Sequence, residues 1–238
     1  MSENRPGDRP DWHGRRQGRP LRPTRQRLMA ELLPRLRIAL PETSQYIDIP
    51  TLFPEDPAQL WLEIGFGAGE HLAEQARRHP EFGFIGSEVF VNGVAALVSQ
   101  ADQLGLRNLR IFDDDARLLL PRLPTASVSR IFLLFPDPWP KRRHEKRRFV
   151  NPANLAVLAR IMSDGGLFTV VSDDRGFIRW SLEQLAGHPD FLWRARRPAD
   201  WREPPPDWVE TRYQRKAMAA GRQPIFLIFE RRARPART

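Results

Sequence analysis

Short apolar runs alternate with amphipathic stretches along most of this chain, regularly enough to predict elements one by one. Residues 60–64 (LWLEI) are an apolar run closed by Gly65, the pattern of a buried strand. Residues 69–78 then read as a helix, 82–89 as a second strand, 92–104 as a second helix, 109–112 as a third strand and 116–120 as a short helix. A fourth strand over 128–135 is broken by Pro136. The helix at 152–162 carries Pro152 in its first turn, where a missing N–H costs nothing. Gly165-Gly166 is expected to close that helix, ahead of a fifth strand over 167–171 and a helix over 176–186. Residues 198–206 are Pro-rich, and 225–229 read as the final strand. Ahead of all this, 1–20 lack periodicity and read as disordered, 24–40 show helical spacing, and 41–58 hold three prolines after Pro41 and read as a linker.

Strands that alternate with helices pair in parallel through right-handed crossovers. The expected fold is therefore α/β: a doubly wound, mostly parallel sheet covered on both faces, with a basic, partly disordered N-terminal extension. The expected division is an arm over 1–40 and one α/β domain over 41–238. In such sheets ligands bind beyond the carboxyl ends of the strands, so functional residues should follow the strands directly.

Composition narrows the classes. The chain has 238 residues, enough for one domain with a substantial core. Its apolar runs all fall short of the roughly 18 residues that span a bilayer, so no membrane association is expected. The N-terminus has no apolar stretch behind its charges, and Glu3, Asp8 and Asp11 argue against a transit peptide, which leaves a cytoplasmic protein as the expectation. With no cysteine, disulfides, thiolate metal sites and cysteine nucleophiles are excluded. Charge is uneven: residues 1–40 hold ten Arg against four acids, 141–148 (KRRHEKRR) six Lys or Arg against one Glu, and 231–238 four Arg, while the whole chain is +9. A mildly acidic body with three basic appendages fits a domain that meets a polyanion.

The first strand runs into Glu63-Ile64-Gly65-Phe66-Gly67-Ala68-Gly69. Glycines there let the backbone turn tightly and approach a ligand ahead of a helix N-terminus. The spacing lacks the Lys and Ser/Thr of a phosphate loop. Glu63 would repel a pyrophosphate and attract a cationic ligand such as a sulfonium. The second strand ends at Glu88, placed to accept from both ribose hydroxyls of an adenosine. The third leads to Asp113-Asp114-Asp115-Ala116, in which Asp115 is the candidate for the adenine amine; its alternative role is to cap the following helix. An acid after each of three strands describes an S-adenosylmethionine pocket better than a nicotinamide pocket.

The fourth strand ends in Pro136-Asp137-Pro138-Trp139-Pro140-Lys141. Two prolines fence Asp137 at the carboxyl edge of the sheet, Trp139 offers a flat face, and Lys141 opens the basic run. An acid, an aromatic and cations together suit a purine from a single-stranded or looped RNA. His144 lies among cations with no second His at ligand spacing, so it reads as an RNA contact with Arg142, Arg143, Lys146, Arg147 and Arg148, and no metal site is expected. Trp61, Trp180 and Trp193 read as packing residues.

The segments LEIGFGAGE, FGFIGSEVF, FPDPWPKRRHEKRR and DWVETRYQRKAMAAGRQPIFLIFER resemble the bacterial tRNA (guanine-N7-)-methyltransferase family over roughly residues 12–231. The resemblance implies a seven-stranded, Rossmann-like class I methyltransferase fold, S-adenosylmethionine as cofactor and a guanosine in the tRNA variable loop as substrate. It implies that Glu63, Glu88, Asp115 and Asp137 line the cofactor pocket with Gly65 and Gly67, that Asp137 is the catalytic candidate, and that Lys141, Asp173 and the motif Thr211-Arg212-Tyr213-Gln214 bind substrate. Gln214 stands where the family usually has Glu, which would accept from the guanine N1–H and amine; Gln accepts through its carbonyl alone.

Guanine N7 carries a lone pair and no proton, so the expected catalyst aligns and stabilises charge and abstracts nothing. The rival expectations are a methyltransferase for another substrate and a binding-only RNA module on the same fold, with a nicotinamide oxidoreductase further off. One chain carrying pocket and basic arms predicts a monomer, with a homodimer as the alternative.

Overall fold

The structure, a computed structural model, describes residues 14–42 and 45–235. Most of the expected disordered leader, 1–13, and the last residues of the tail, 236–238, lie outside the described residues.

Seven strands form one sheet: β1 (Leu60–Ile64), β2 (Gly83–Ser87), β3 (Leu109–Phe112), β4 (Val128–Leu134), β5 (Met162–Ser172), β6 (Phe191–Trp193) and β7 (Ile225–Arg231). Their order is β3-β2-β1-β4-β5-β7-β6. The first five pair in parallel, whereas β7 runs antiparallel to both β5 and β6. The helices are α1 (Pro23–Glu31), α2 (Leu33–Leu36), α3 (Glu70–Arg78), α4 (Val91–Leu104), α5 (Ala116–Leu119), α6 (Pro152–Ile161), α7 (Arg175–Ala186), α8 (Ala199–Arg202) and α9 (Arg212–Ala219).

Every residue of β1 is buried, as a central parallel strand covered on both faces requires. Its side chains alternate: Leu62 and Ile64 join one core with Ile131, Leu158 and Phe177, and Trp61 joins the other with Leu72, Val94 and Leu97. Strand order reverses between β1 and β4, so the carboxyl ends of these two strands open the crevice in which such folds bind ligands.

Four local differences from the sequence-based expectation have physical causes. Helix α6 ends at Ile161, and Met162 is already extended; Gly165 and Gly166 lie within β5, where the register with β4 shifts between Val128 and Arg130. In place of a glycine cap, the Arg234 guanidinium takes the carbonyls of Ala159 at 3.1 Å and Arg160 at 2.8 Å in the last turn, and that of Met162 just beyond it at 2.8 Å. The 41–58 segment is no loose linker: Ile47 and Phe53 are buried, and Ile47 N–H donates to Arg122 O at 2.8 Å. The 24–40 helix splits into α1 and α2, and Leu28, Leu33, Leu36 and Ile38 pack into the two cores. The three-residue strand β6 is too short to show a period.

Candidate active site at the carboxyl edge of the sheet

A cavity of about 590 Å³ opens beyond the carboxyl ends of β1, β2 and β4, within the range of sites that enclose a small molecule. The Gly-rich turn forms its floor. Gly65, Gly67 and Gly69 all have positive φ (69°, 60° and 80°), a region that side chains with a Cβ avoid. Helix α4 presses on the turn so closely that a Cβ at Gly93 would lie 2.1 Å from Gly67 O. Gly93 is thus required by packing, a role that a lone glycine inside a helical pattern does not advertise.

Glu88, at the end of β2, is held by three backbone donors: Gly67 N–H at 2.8 Å on one carboxylate oxygen, Val89 N–H at 2.8 Å and Phe90 N–H at 2.9 Å on the other. Burial nevertheless pushes its carboxyl pKa above the ordinary value; the three N–H groups pull it down and the nearby Asp137 charge pushes it up. Asp137 lines the same cavity, and its carboxyl pKa is likewise raised by burial. Two carboxylates facing one cavity, each less willing to ionise than in water, make a site that a cationic ligand would relieve.

Asp115 has both of its expected positions at once. It lines the cavity, and its side chain caps α5 by accepting from Arg117 N–H at 2.9 Å while pairing with the Arg117 guanidinium at 2.6 Å. Glu63 is elsewhere: 2% exposed, it is turned away from the cavity into the layer beneath the turn, where its carboxylate accepts from His71 Nδ1–H at 2.7 Å. His71 in turn lies 3.5 Å from the Gln75 amide, which suits a ring protonated on Nδ1 with Nε2 accepting. The sheet's alternation explains the difference, because Glu63 shares the face of Trp61 and packs under α3.

Beyond β4 the backbone turns through two non-glycine residues with positive φ, Phe135 at 49° and Trp139 at 43°. Each costs about 1–2 kcal/mol for a side chain with a Cβ. Phe135 N–H is tied to Val171 O at 2.7 Å. One face of Trp139 is taken by the Arg147 guanidinium, 5.0 Å from the ring centroid, and His144 meets the ring edge-on at 5.8 Å. A 3₁₀ helix, Arg142–Arg147, carries the basic run past the cavity mouth. Lys141, Arg142, Arg143 and Lys146 are exposed along it, and Lys146 and Arg147 reach the cavity wall. Arg148, expected among the outward RNA contacts, is buried with its guanidinium turned toward the loop.

Of the expected substrate residues, Tyr213 alone reaches this cavity. Tyr213 lines it, with its ring 3.0 Å from where a Gly67 Cβ would stand and stacked on Phe135 at 6.4 Å. Thr211 caps α9 by accepting from Gln214 N–H at 3.2 Å. Gln214 is buried, and its carbonyl accepts from the Trp208 indole N–H at 2.5 Å. Arg212 is exposed beside Glu70, 3.8 Å away. Asp173 pairs with Arg222 at 2.6 Å, while its neighbour Asp174 caps α7. Lys141, Asp173, Thr211, Arg212 and Gln214 do not line the cavity itself.

The leader supplies a wall that its composition did not suggest. Gly14 and Arg15 line the cavity, Arg16 O accepts from Val91 N–H at 2.8 Å, and the Arg16 guanidinium pairs with Asp114 at 2.9 Å. Asn92 fastens the next turn, accepting from Gly18 N–H at 2.7 Å and donating to Arg19 O at 2.7 Å. Asp113 likewise pairs with Arg37 at 2.6 Å. The acids after β3 thus bind the chain's own arginines.

Comparison with known proteins decides the family. A model described as putative methyltransferase matches residues 57–227. A tRNA (guanine-N(7)-)-methyltransferase of Rhodospirillum rubrum is 53% identical over 227 residues, covering 94% of this chain and 89% of that protein. One of Paramagnetospirillum magneticum is 48% identical over 97% of both chains. This chain belongs to the tRNA (guanine-N(7)-)-methyltransferase family. Among solved structures, the 16S rRNA methyltransferase KamB shares the fold at a TM-score of 0.52 with 18% identity, over 79% of this chain and 95% of that one.

For a member of this family the cavity chemistry fits S-adenosylmethionine. Its volume, its glycine floor, the fixed Glu88 at the end of β2 and the raised Glu88 and Asp137 carboxyls suit a nucleoside joined to a sulfonium. Among the described residues no helix is long and apolar enough to cross a membrane, and no group of three His, Asp or Glu is arranged to hold a metal ion.

Proposed function

We propose that this protein transfers a methyl group from S-adenosylmethionine to N7 of a guanosine in the tRNA variable loop, acting in the cytoplasm as a monomer. The observation that carries the reading is the meeting of Glu88 and Asp137 in one cavity at the switch point, with a 3₁₀ turn of exposed cations along its mouth. The relatives' name supplies tRNA and the guanine N7 position, and the motif resemblance supplies the variable loop.

When bound, the cofactor supplies an electrophilic methyl on a sulfonium. Everything else falls to the chain. The Gly65–Gly67 turn and Glu88 hold the nucleoside, and Asp115 faces its base. Guanine N7 attacks through a lone pair, so no side chain has to accept a proton. Asp137 orients the purine and stabilises the positive charge that grows on its ring. Tyr213 closes over the turn beside the reacting groups, and Arg212 and Lys141 approach the RNA from the rim. The exposed cations of 141–147 take phosphates, giving affinity without sequence information. Gln214 serves by holding Trp208 and α9 in place, and Asp173 by its pairing with Arg222.

The test is transfer of labelled methyl from S-adenosylmethionine to unmodified bulk tRNA, with the product nucleoside identified. The expected product is N7-methylguanosine from the wild type and none from Asp137→Ala. Methylation of another nucleoside, or undiminished transfer by the variant, would contradict the reading.

A further inference from the structure

We infer that Arg148 is a positioning residue, which holds the strained 136–140 loop in its reactive shape and does not contact RNA. This rests on the methyl-transfer reading above. By composition Arg148 is the last cation of a basic run. In the fold its side chain is 6% exposed. Its Nε–H donates to Pro138 O at 3.0 Å and its Nη2 to Trp139 O at 3.2 Å, while Nη1 lies 3.5 Å from a Glu145 carboxylate oxygen. The guanidinium also lies 5.0 Å from the centroid of the Trp180 ring, on α7. Trp180 is fixed in turn, its indole N–H donating to Val150 O at 2.6 Å. A phosphate outside cannot reach a guanidinium committed in this way.

The loop needs such an outside donor. Pro136, Pro138 and Pro140 have no backbone N–H, so the segment cannot close turns through those residues. Trp139 sits at φ 43°, a conformation that persists only where the surroundings impose it. Arg148 grips the two carbonyls on either side of the Trp139 nitrogen and α-carbon, the bonds about which that conformation is set. Asp137 is the residue just before the first gripped carbonyl, so the aim of its carboxylate depends on this grip. A planar two-pronged donor over an aromatic ring does this; a lysine ammonium offers a point charge with no fork.

The experiment is steady-state methyl transfer to an unmodified tRNA by the full chain and its Arg148→Lys and Arg148→Met variants. It is joined to cofactor affinity by calorimetry, tRNA affinity across a salt series, and thermal melting. The expected result is a kcat lowered about 100-fold in Arg148→Met and less in Arg148→Lys, as displacement of a reacting group by about an ångström produces. The KM for tRNA and the cofactor Kd should stay within about threefold of wild type in the Lys variant, with the salt slope unchanged and the melting preserved. If Arg148→Met fails to fold, Arg148→Lys decides. The inference is overturned by an unchanged kcat in a folded variant. It is equally overturned by a tRNA salt slope reduced by about one, which would make Arg148 a phosphate contact, or by a cofactor Kd that rises in step with the loss of kcat. A wild type without transfer would overturn the reading itself; an active wild type with any of those outcomes overturns this inference alone.

Discussion

Two arginine-rich stretches of this chain look alike on paper and do opposite things. Along 141–146 the Lys and Arg side chains turn outward, past a proline-fenced loop at the mouth of a cavity. In the C-terminal stretch Arg231 and Arg234 turn inward. Arg231 is buried, donating to Ala159 O at 3.1 Å and pairing with Asp164 at 3.1 Å and Asp190 at 3.6 Å. Arg234 takes the carbonyls at the end of α6. The backbone N–H of Arg234, and then its charge, hold the Asp164 carboxyl below the usual range. The difference lies in what the neighbouring backbone lacks. A helix end without a glycine cap leaves carbonyls that want donors, and arginine satisfies them. Around the cavity mouth the same charge is spread over solvent, available to a polyanion.

The largest effect should come from the loop's acid. Asp137→Asn is expected to lower kcat by about 10²–10³-fold, as losing a charge-stabilising group does, with tRNA affinity kept. Because burial raises the Asp137 pKa, wild-type kcat/KM should rise with pH through a window above the ordinary carboxylate value, and the variant should lose that limb or retain only the part due to Glu88. Stability runs the other way. Carboxyls whose folded pKa is raised bind protons more tightly in the fold, so their ionisation costs stability that is intact at low pH and lost as pH rises through the folded pKa. Asp137→Asn should flatten that slope in melts recorded across pH.

Arg231→Ala should come next, costing about 2 kcal/mol as a buried charged donor is removed from its acceptors, and lowering the melting temperature by about 4–8 °C. The salt slope of tRNA binding should not move; if it did, the inward and outward arginines would not be separable. The exposed pair Arg142→Ala/Lys146→Ala should do the reverse: tRNA affinity weakened about tenfold or more, the salt slope reduced by about two, and melting unchanged. Smallest of all should be Gln214→Glu. A carboxylate can still accept from the Trp208 indole, so kcat/KM should stay within about threefold. A tenfold gain would mean that position 214 reads the base directly.

Much of this was legible in the sequence. The strand–helix alternation gave the doubly wound sheet, because both period and breakers were clear: Gly65 after β1, Pro136 after β4, Pro152 opening α6. Glu88, Asp115 and Asp137 meet at one cavity, as residues directly after parallel strands must. What sequence could not supply was direction. Nothing local says that Glu63 points into the layer beneath the turn toward His71, or that Arg148 turns inward where Lys146 does not. Those depend on contacts eight residues away on α3 and some thirty residues away on α7. Asp113 and Asp114 pair with Arg37 and Arg16, 76 and 98 residues distant. The leader's place on the cavity wall rests on Asn92, Asp114 and the Val91 N–H, which no motif marks.

The most direct measurement concerns the acceptor atom itself: single-turnover methyl transfer to a tRNA whose variable-loop guanosine is replaced by 7-deazaguanosine, in which a C–H takes the place of N7. The account predicts full transfer to the guanosine-containing tRNA, none to the 7-deaza tRNA, and equal binding of both. Methyl transfer to the 7-deaza tRNA would place the reaction at another atom and contradict the account.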